Sequence, residues 1–199
     1  MKNRFKIGGI ILTFFLMSFR LVSDKKVIVI DAGHGGRDIG VYVGNAYEKK
    51  IVEDISKQIK ALNKKKDIEI VLLRDSDTFT DLNERVQRIN KLQPDLVISL
   101  HVDQSNDKTA NGITAAISEQ NQYYQESRLH AQNLTKVLAS KNSKAASIKM
   151  ANLFLLKNAN SPAVSVELGF LSNEVDKNYL MSQKGQTKIA KQILKCLNK

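Results

Sequence analysis

Four side chains stand where a fold can assemble chemistry: His34, Glu48, His101 and Glu167. His34 follows the apolar run Val27–Ile30 by a few residues. His101 directly follows Leu96–Leu100, and Glu167 directly follows Ala163–Val166. Continuous β-branched runs of this kind mark strands buried on both faces, and open α/β sheets bind ligands at the carboxyl ends of their strands. If the three strands are parallel, the three groups converge on one edge. Glu48, in the first turn of a helix just after a glycine-rich loop, can face the same edge. Two histidines and one carboxylate suit Zn²⁺, whose catalytic sites keep three protein ligands and one water position. The metal lowers the pKa of that water toward ~7 and polarises a carbonyl. A further carboxylate off the metal can take the proton from the attacking water and pass it to a leaving amine. The four residues supply that set.

Each has a plainer reading. A lone histidine is more often an ordinary core or surface residue than a ligand. Glu48 alone is explained as an acid favoured at a helix N-terminus. Glu167, between Val164-Ser165-Val166 and Leu168-Gly169-Phe170, is harder to dismiss, because an idle carboxylate is costly in apolar surroundings. The third histidine, His130, lies among Glu126, Arg128 and Gln132 and reads as an ordinary helix residue. The glycines around His34 fit neither phosphate motif. Dinucleotide spacing from Gly33 needs a glycine where Asp38 stands, and a P-loop counted from Gly35 needs lysine where Val41 stands. They instead let the backbone turn sharply around His34.

The elements that must position these residues alternate. Strands are expected at Val27–Ile30, Ile68–Leu73, Leu96–Leu100, Ile113–Ile117, Leu153–Leu156 and Ala163–Val166. Helices are expected from about Glu48 to Leu62, from a capping-box-like Asp81-Leu82-Asn83-Glu84 to Leu92, from Tyr123 to about Ser140 with Leu129, Leu134, Val137 and Leu138 inward, and from Lys188 to Leu197. This pattern predicts one three-layer α/β domain, about 25–199, with a largely parallel or mixed sheet and helices on both faces.

The chain has 199 residues, 42% apolar and 26% charged, enough to bury a single core. Its 31 Lys and Arg against 20 Asp and Glu give a net charge of +11. A basic surface suits polyanions without choosing among nucleic acid, anionic lipid and anionic wall polymer. Lys2, Arg4 and Lys6 precede an uncharged, mostly apolar run from Ile7 to Phe19. That run is shorter than the ~20 residues needed to span a bilayer and matches a secretory signal with cleavage near Ser23, an uncleaved anchor being the alternative. Residues 1–23 are thus expected to export the rest to the periplasm or cell envelope, with membrane contact only through this segment, which argues against nucleic acid as a partner. Cys196, the single cysteine, cannot form an intramolecular disulfide.

Val29-Ile30-Asp31-Ala32-Gly33-His34-Gly35-Gly36-Arg37-Asp38-Ile39-Gly40, then Glu48-Lys49, Ser99-Leu100-His101 and Val166-Glu167-Leu168-Gly169-Phe170-Leu171-Ser172-Asn173 together resemble the zinc-dependent N-acetylmuramoyl-L-alanine amidases of bacterial cell walls (amidase type 3). Leu73–Phe79 and Leu82-Asn83-Glu84-Arg85 also match, and the likeness runs from about Val27 to Leu197. The resemblance implies zinc held by His34, Glu48 and His101, and Glu167 as catalytic acid/base. It implies peptidoglycan as substrate and hydrolysis of the amide between N-acetylmuramic acid and L-alanine. Ala32 stands where the family often has proline, Val102-Asp103 where it often has Ala-Asn, and Lys157 near a frequent arginine. None replaces a ligand. The readings set beside it are another exported zinc peptidase or deacetylase and a non-catalytic peptidoglycan-binding module. Some family members carry a helix that plugs the zinc site until a partner withdraws it. The loops Val102–Gly112 and Lys141–Asn152 lack the apolar stripe such a plug needs, so no activator is expected.

Overall fold

Strand β1 shows how sequence becomes architecture. Val27-Ile28-Val29-Ile30 carries branched apolar side chains at successive positions, so both faces of the strand must be covered. In the computed structural model, which describes residues 25–139 and 146–197, β1 (Lys26–Ala32) lies inside a six-stranded sheet. The segment 1–23 falls outside the described residues. A short hairpin follows, β2 (Tyr42–Val43) and β3 (Ala46–Tyr47), then α1 (Glu48–Leu62), β4 (Ile68–Leu72), α2 (Leu82–Leu92) and β5 (Leu96–Asp103). The chain continues through β6 (Ile113–Ile117), α3 (Tyr124–Leu138), β7 (Ala146–Met150), α4 (Phe154–Asn158), β8 (Ala163–Phe170), α5 (Glu174–Met181) and α6 (Gln183–Leu197). The sheet order is β4-β1-β5-β8-β6-β7. β4, β1, β5 and β8 are parallel, β6 runs antiparallel to β8, and β7 is parallel to β6. The sheet is therefore mixed, and its four-strand parallel part carries the site.

Period-two alternation divides the core. Ile28 and Ile30 of β1, Ile98 and Leu100 of β5, and Val164 and Val166 of β8 pack with α1, α3 and α6 on one face. Val29, Val97 and Ala163 pack with Val86 and Ile89 of α2 and Leu155 and Leu156 of α4 on the other. The helical spacing of Ile51, Val52, Ile55 and Ile59 is the buried stripe of α1. The Asp81 side chain accepts from the Glu84 backbone N–H at 2.8 Å and starts α2, as its capping signal predicts.

Several expectations are corrected. Leu153–Leu156 is not a strand; it leads into α4, where Lys157 and Ala159 N–H groups reach back to the Leu153 and Leu155 carbonyls. A short apolar run fits a buried strand and a buried helix turn equally well. The sixth strand is β7, inside the stretch read as loop. It is an edge strand with mostly exposed side chains, so no apolar run marks it. β5 and β8 extend through His101 and Glu167, which lie within their strands rather than after them. On α3, Leu134 and Leu138 are buried with Ala131, Val137 is half-buried, and Leu129 is exposed rather than inward. α6 starts five residues earlier than expected, and α5 had no counterpart. Among the described residues no helix is long and apolar enough to cross a membrane.

Ile98 sits at the centre of the sheet with no exposed surface. Ile98→Ala is expected to lower stability by about 2–5 kcal/mol, the usual cost of a large core truncation, read as a shift in the urea unfolding midpoint at unchanged m-value.

Candidate metal centre

The loop after β1 has to turn back under its own sheet edge, and it does so through a conformation that a side chain resists. His34 adopts φ 60°, in the left-handed region, at a cost of order 1–3 kcal/mol. Two arginines hold it there. Arg74 donates to the carbonyls of Ala32, Gly33 and Lys49, each at 2.9 Å, and pairs with Glu53 at 2.9 Å. Arg85 donates to the carbonyls of Ala32, His34 and Thr80 and pairs with Asp31, which also accepts from the Ser99 hydroxyl at 2.7 Å. Both arginines are buried. Three consecutive carbonyls, 32 to 34, thus have fixed donors. Gly33 lets this loop lie on the His101 ring, since a Cβ there would stand 2.4 Å from it.

The same loop delivers His34 to Glu48, the first residue of α1. His34 Nε2 lies 3.1 Å and His101 Nδ1 3.0 Å from the same Glu48 oxygen, Oε1. The two imidazole rings meet edge to face with centroids 5.1 Å apart. Glu48 is 2% exposed. It accepts from the Val41 N–H at Oε2 (2.8 Å) and from the Val102 N–H at Oε1 (3.0 Å). Burial opposes ionisation of Glu48. The hydrogen bonds from His101, His34 and Val41 outweigh it and bring the carboxyl down to about 2. Burial also pulls on His34, but Glu48 and then Asp38 raise its pKa above the ordinary value. Asp38 reaches His34 Nδ1 at 2.9 Å, the ring nitrogen that faces away from Glu48.

One ligand atom from each of His34, Glu48 and His101 lies within 4.8 Å of the others. Donors on a tetrahedral ion with bonds of ~2.0–2.1 Å stand roughly 3.4 Å apart, so this spacing suits one zinc-sized cation. Two imidazoles and one carboxylate are also the donor types such a cation takes, and a carboxylate behind a ligating histidine, as Asp38 stands here, fixes its ring.

Glu167 is the register partner of His101 across β5 and β8. Burial pushes its carboxyl above the usual carboxylate range; the His101 ring pulls the other way, and Asp103 and Glu48 add to the rise. Two cavities, of about 650 and 390 Å³, both border His34, His101 and Glu167. The structure therefore brings together all four residues singled out in the sequence and leaves His130 away on α3. Asp38, Arg74, Arg85 and Asp31 went unassigned there. Asp38 had a signal in its four-residue spacing from His34; the arginines had none beyond lying in matched segments.

Fold and site together are those of an α/β hydrolytic domain whose ligand set suits a divalent cation. A family profile described as N-acetylmuramoyl-L-alanine amidase matches residues 28–199, and the chain belongs to that family. The domain is a peptidoglycan amidase that hydrolyses the bond between N-acetylmuramic acid and L-alanine. It is 30% identical over 168 residues to N-acetylmuramoyl-L-alanine amidase LytC of Bacillus subtilis, covering 84% of this chain and 34% of LytC. It is 33% identical over 158 residues to the probable cell wall amidase LytH of Staphylococcus saprophyticus, covering 78% of this chain and 51% of LytH. The chain thus matches about a third and about half of those two relatives' lengths. Among solved structures, the catalytic domain of the amidase CwlV from Paenibacillus polymyxa superposes with a TM-score of 0.77 at 28% identity, covering 87% of this chain and 96% of that one.

Two outcomes follow. Arg85→Met leaves Asp31 charged and buried and the loop carbonyls without donors, so stability is expected to fall by about 3–5 kcal/mol; the double variant Asp31→Asn, Arg85→Met recovers part of the loss, both read by urea unfolding. The second concerns pH in chelator-treated protein. Glu48, with its lowered folded value, adds stability above the unfolded carboxylate value and loses it as pH falls toward 2. His34, with its raised value, adds stability below its unfolded value and loses it as pH rises through the folded one. The stability difference between wild type and Glu48→Gln is therefore expected to peak between about pH 4.5 and 6.5 and shrink on both sides.

Proposed function

We propose that the domain carries out amide hydrolysis with one Zn²⁺ held by His34, Glu48 and His101, and with Glu167 as general base and then general acid. The observation that carries this reading is the convergence of two imidazole nitrogens on a single oxygen of a buried, ionised carboxylate, with a second carboxyl of raised pKa one strand away.

When bound, the cation acidifies its water ligand toward pKa ~7 and polarises the amide carbonyl. The chain's own residues do the rest. Glu48 brings negative charge to the ligand set, and its Oε2 stays tied to the Val41 N–H. Asp38 keeps the His34 ring turned so that Nε2 points inward. Glu167 takes the proton from the attacking water as the new C–O bond forms. It then passes that proton to the alanine nitrogen as the C–N bond breaks. A raised pKa suits both halves, since the group accepts readily and returns the proton without strong reluctance. The products are a free lactyl carboxylate on the sugar and a stem peptide with N-terminal alanine.

Residues 1–23, by their basic start and short apolar run, serve in this reading as the export signal that delivers the domain to the cell envelope, where the wall is. The domain is active without an activator. Among the described residues, the stretch between His101 and Glu167 forms β6, α3, β7 and α4, and α3 is packed on the sheet through Ala131, Leu134 and Leu138.

The test is mass spectrometry of purified peptidoglycan digested by the 24–199 fragment alone. Intact stem peptides with N-terminal alanine are expected, and a chelator abolishes them. Release of acetate or of peptides cut internally would replace the amidase reading with a deacetylase or peptidase. His34→Ala and His101→Ala are expected to lose stoichiometric zinc. Glu167→Gln is expected to keep zinc and fold while kcat falls by about 10²–10⁴, the usual worth of acid–base catalysis.

A further inference from the structure

The scissile bond joins two unlike arms, a glycan and a peptide, and two cavities leave the catalytic centre sharing His34, His101 and Glu167. Their walls differ in chemistry. The larger runs between α4 and the loop before α2 and is walled by Phe79, Leu82, Leu153 and Phe154. Two of the charged groups that line it, Asp31 and Arg85, are already paired with each other. The smaller opens past Gly40 and Val41 toward the β2–β3 hairpin and is bordered by Tyr42, Asp103 and Gln104.

That hairpin presents an unusual surface. Its register sets Tyr42 opposite Tyr47 and Val43 opposite Ala46. Ala46 is buried and Val43 packs against the main core, so alternation turns both tyrosines to the other side. Their rings stack, centroids 6.0 Å apart and planes 17° from parallel. Tyr42 is 57% and Tyr47 41% exposed. The pair adds little to the core and stands beside Glu48, whose Oε2 is tied to the Val41 N–H. A pyranose ring has one face of C–H groups and a rim of hydroxyl and N-acetyl groups. Exposed tyrosine rings offer flat apolar area with a polar tip, and Asp103 and Gln104 offer partners for the rim.

We propose that Tyr42 and Tyr47 form the glycan subsite: an N-acetylated pyranose of the sugar arm packs on this aromatic pair, and the stem peptide leaves through the larger cavity. This rests on the amidase reading above.

The experiment uses zinc-loaded protein and two readouts. The first is calorimetric binding of peptide-free oligosaccharides of alternating N-acetylglucosamine and N-acetylmuramic acid, which contain no scissile amide. Tyr42→Ala, Tyr47→Ala combined is expected to weaken binding at least about tenfold, as the loss of a stacked aromatic contact with its buried area predicts. Tyr42→Phe, Tyr47→Phe keeps binding within about threefold, because the ring faces remain. The second readout is hydrolysis of intact glycan strands, where the alanine variant raises KM by more than it lowers kcat and the phenylalanine variant restores KM. Oligosaccharide binding and KM indifferent to both alanine substitutions, in a protein that hydrolyses wall normally, overturn the subsite. So does free stem peptide, rather than oligosaccharide, losing affinity in the alanine variant. A wild-type protein that binds the oligosaccharide through these tyrosines but releases no alanine-ended peptide upholds the subsite and removes the amidase reading instead.

Discussion

Three consecutive backbone carbonyls, those of Ala32, Gly33 and His34, accept hydrogen bonds from two buried guanidinium groups, and the candidate metal centre hangs from that arrangement. A loop leaving a strand end toward a cavity has no ladder to satisfy its carbonyls. An unpaired buried carbonyl costs about 1–3 kcal/mol, and the left-handed His34 adds strain of its own. Arginine answers both problems because it presents several donors in a rigid plane. Each guanidinium is in turn neutralised by a buried acid, Glu53 for Arg74 and Asp31 for Arg85. Lysine, a point charge with no planar fork, cannot bridge the same carbonyls at the same angles.

The electrostatic layout follows from this clamp. Each guanidinium of the clamp faces a buried acid, and Glu53 also takes Lys57 at 2.6 Å. The carboxyls whose proton affinities are shifted at the site lie one layer outward, Glu48 downward and Glu167 upward. The two carboxyls are pushed apart, one down by hydrogen bonds to imidazole and backbone N–H, the other up by burial. Neighbouring carboxyls with separated proton affinities take separate roles, one staying charged and the other exchanging a proton. What separates them here is the supply of donors. Glu48 sits at a helix start beside two turned-in histidines and two backbone N–H groups, whereas Glu167 projects from a strand between His101 and Thr114 of the flanking strands.

Much of this was legible in residue order. The run Val27–Ile30, β-branched at every position, favours a strand, the spacing of Ile51, Val52, Ile55 and Ile59 favours a helix, and the structure has both elements. His34, Glu48, His101 and Glu167 were legible as candidates because polar groups beside buried apolar runs stand out, and the structure brings all four to one cavity. β7 was not, because Ser147 and Lys149 on an exposed edge strand leave no pattern behind. α4 was misread because Leu153–Leu156 has too few residues for its period to show. Leu129 shows the converse failure: an apolar residue near a buried stripe need not belong to it. The arginine clamp was out of reach for a different reason. Its partners are carbonyls, which every residue carries, so nothing in the side-chain sequence announces them.

The direction of β1 has a consequence for how the domain is presented. The strand enters at Lys26 and ends at Ala32 beside the catalytic loop. Seven residues at ~3.3 Å each make roughly 23 Å of sheet between entry and site. Lys26 therefore marks the edge of the sheet opposite the catalytic opening. An attachment made at Lys26 itself lies at the far end of the sheet from the cleft. A surface-immobilised domain attached at that end keeps its mouth toward a polymer arriving from solution, whereas attachment through the hairpin side would bury it against the support.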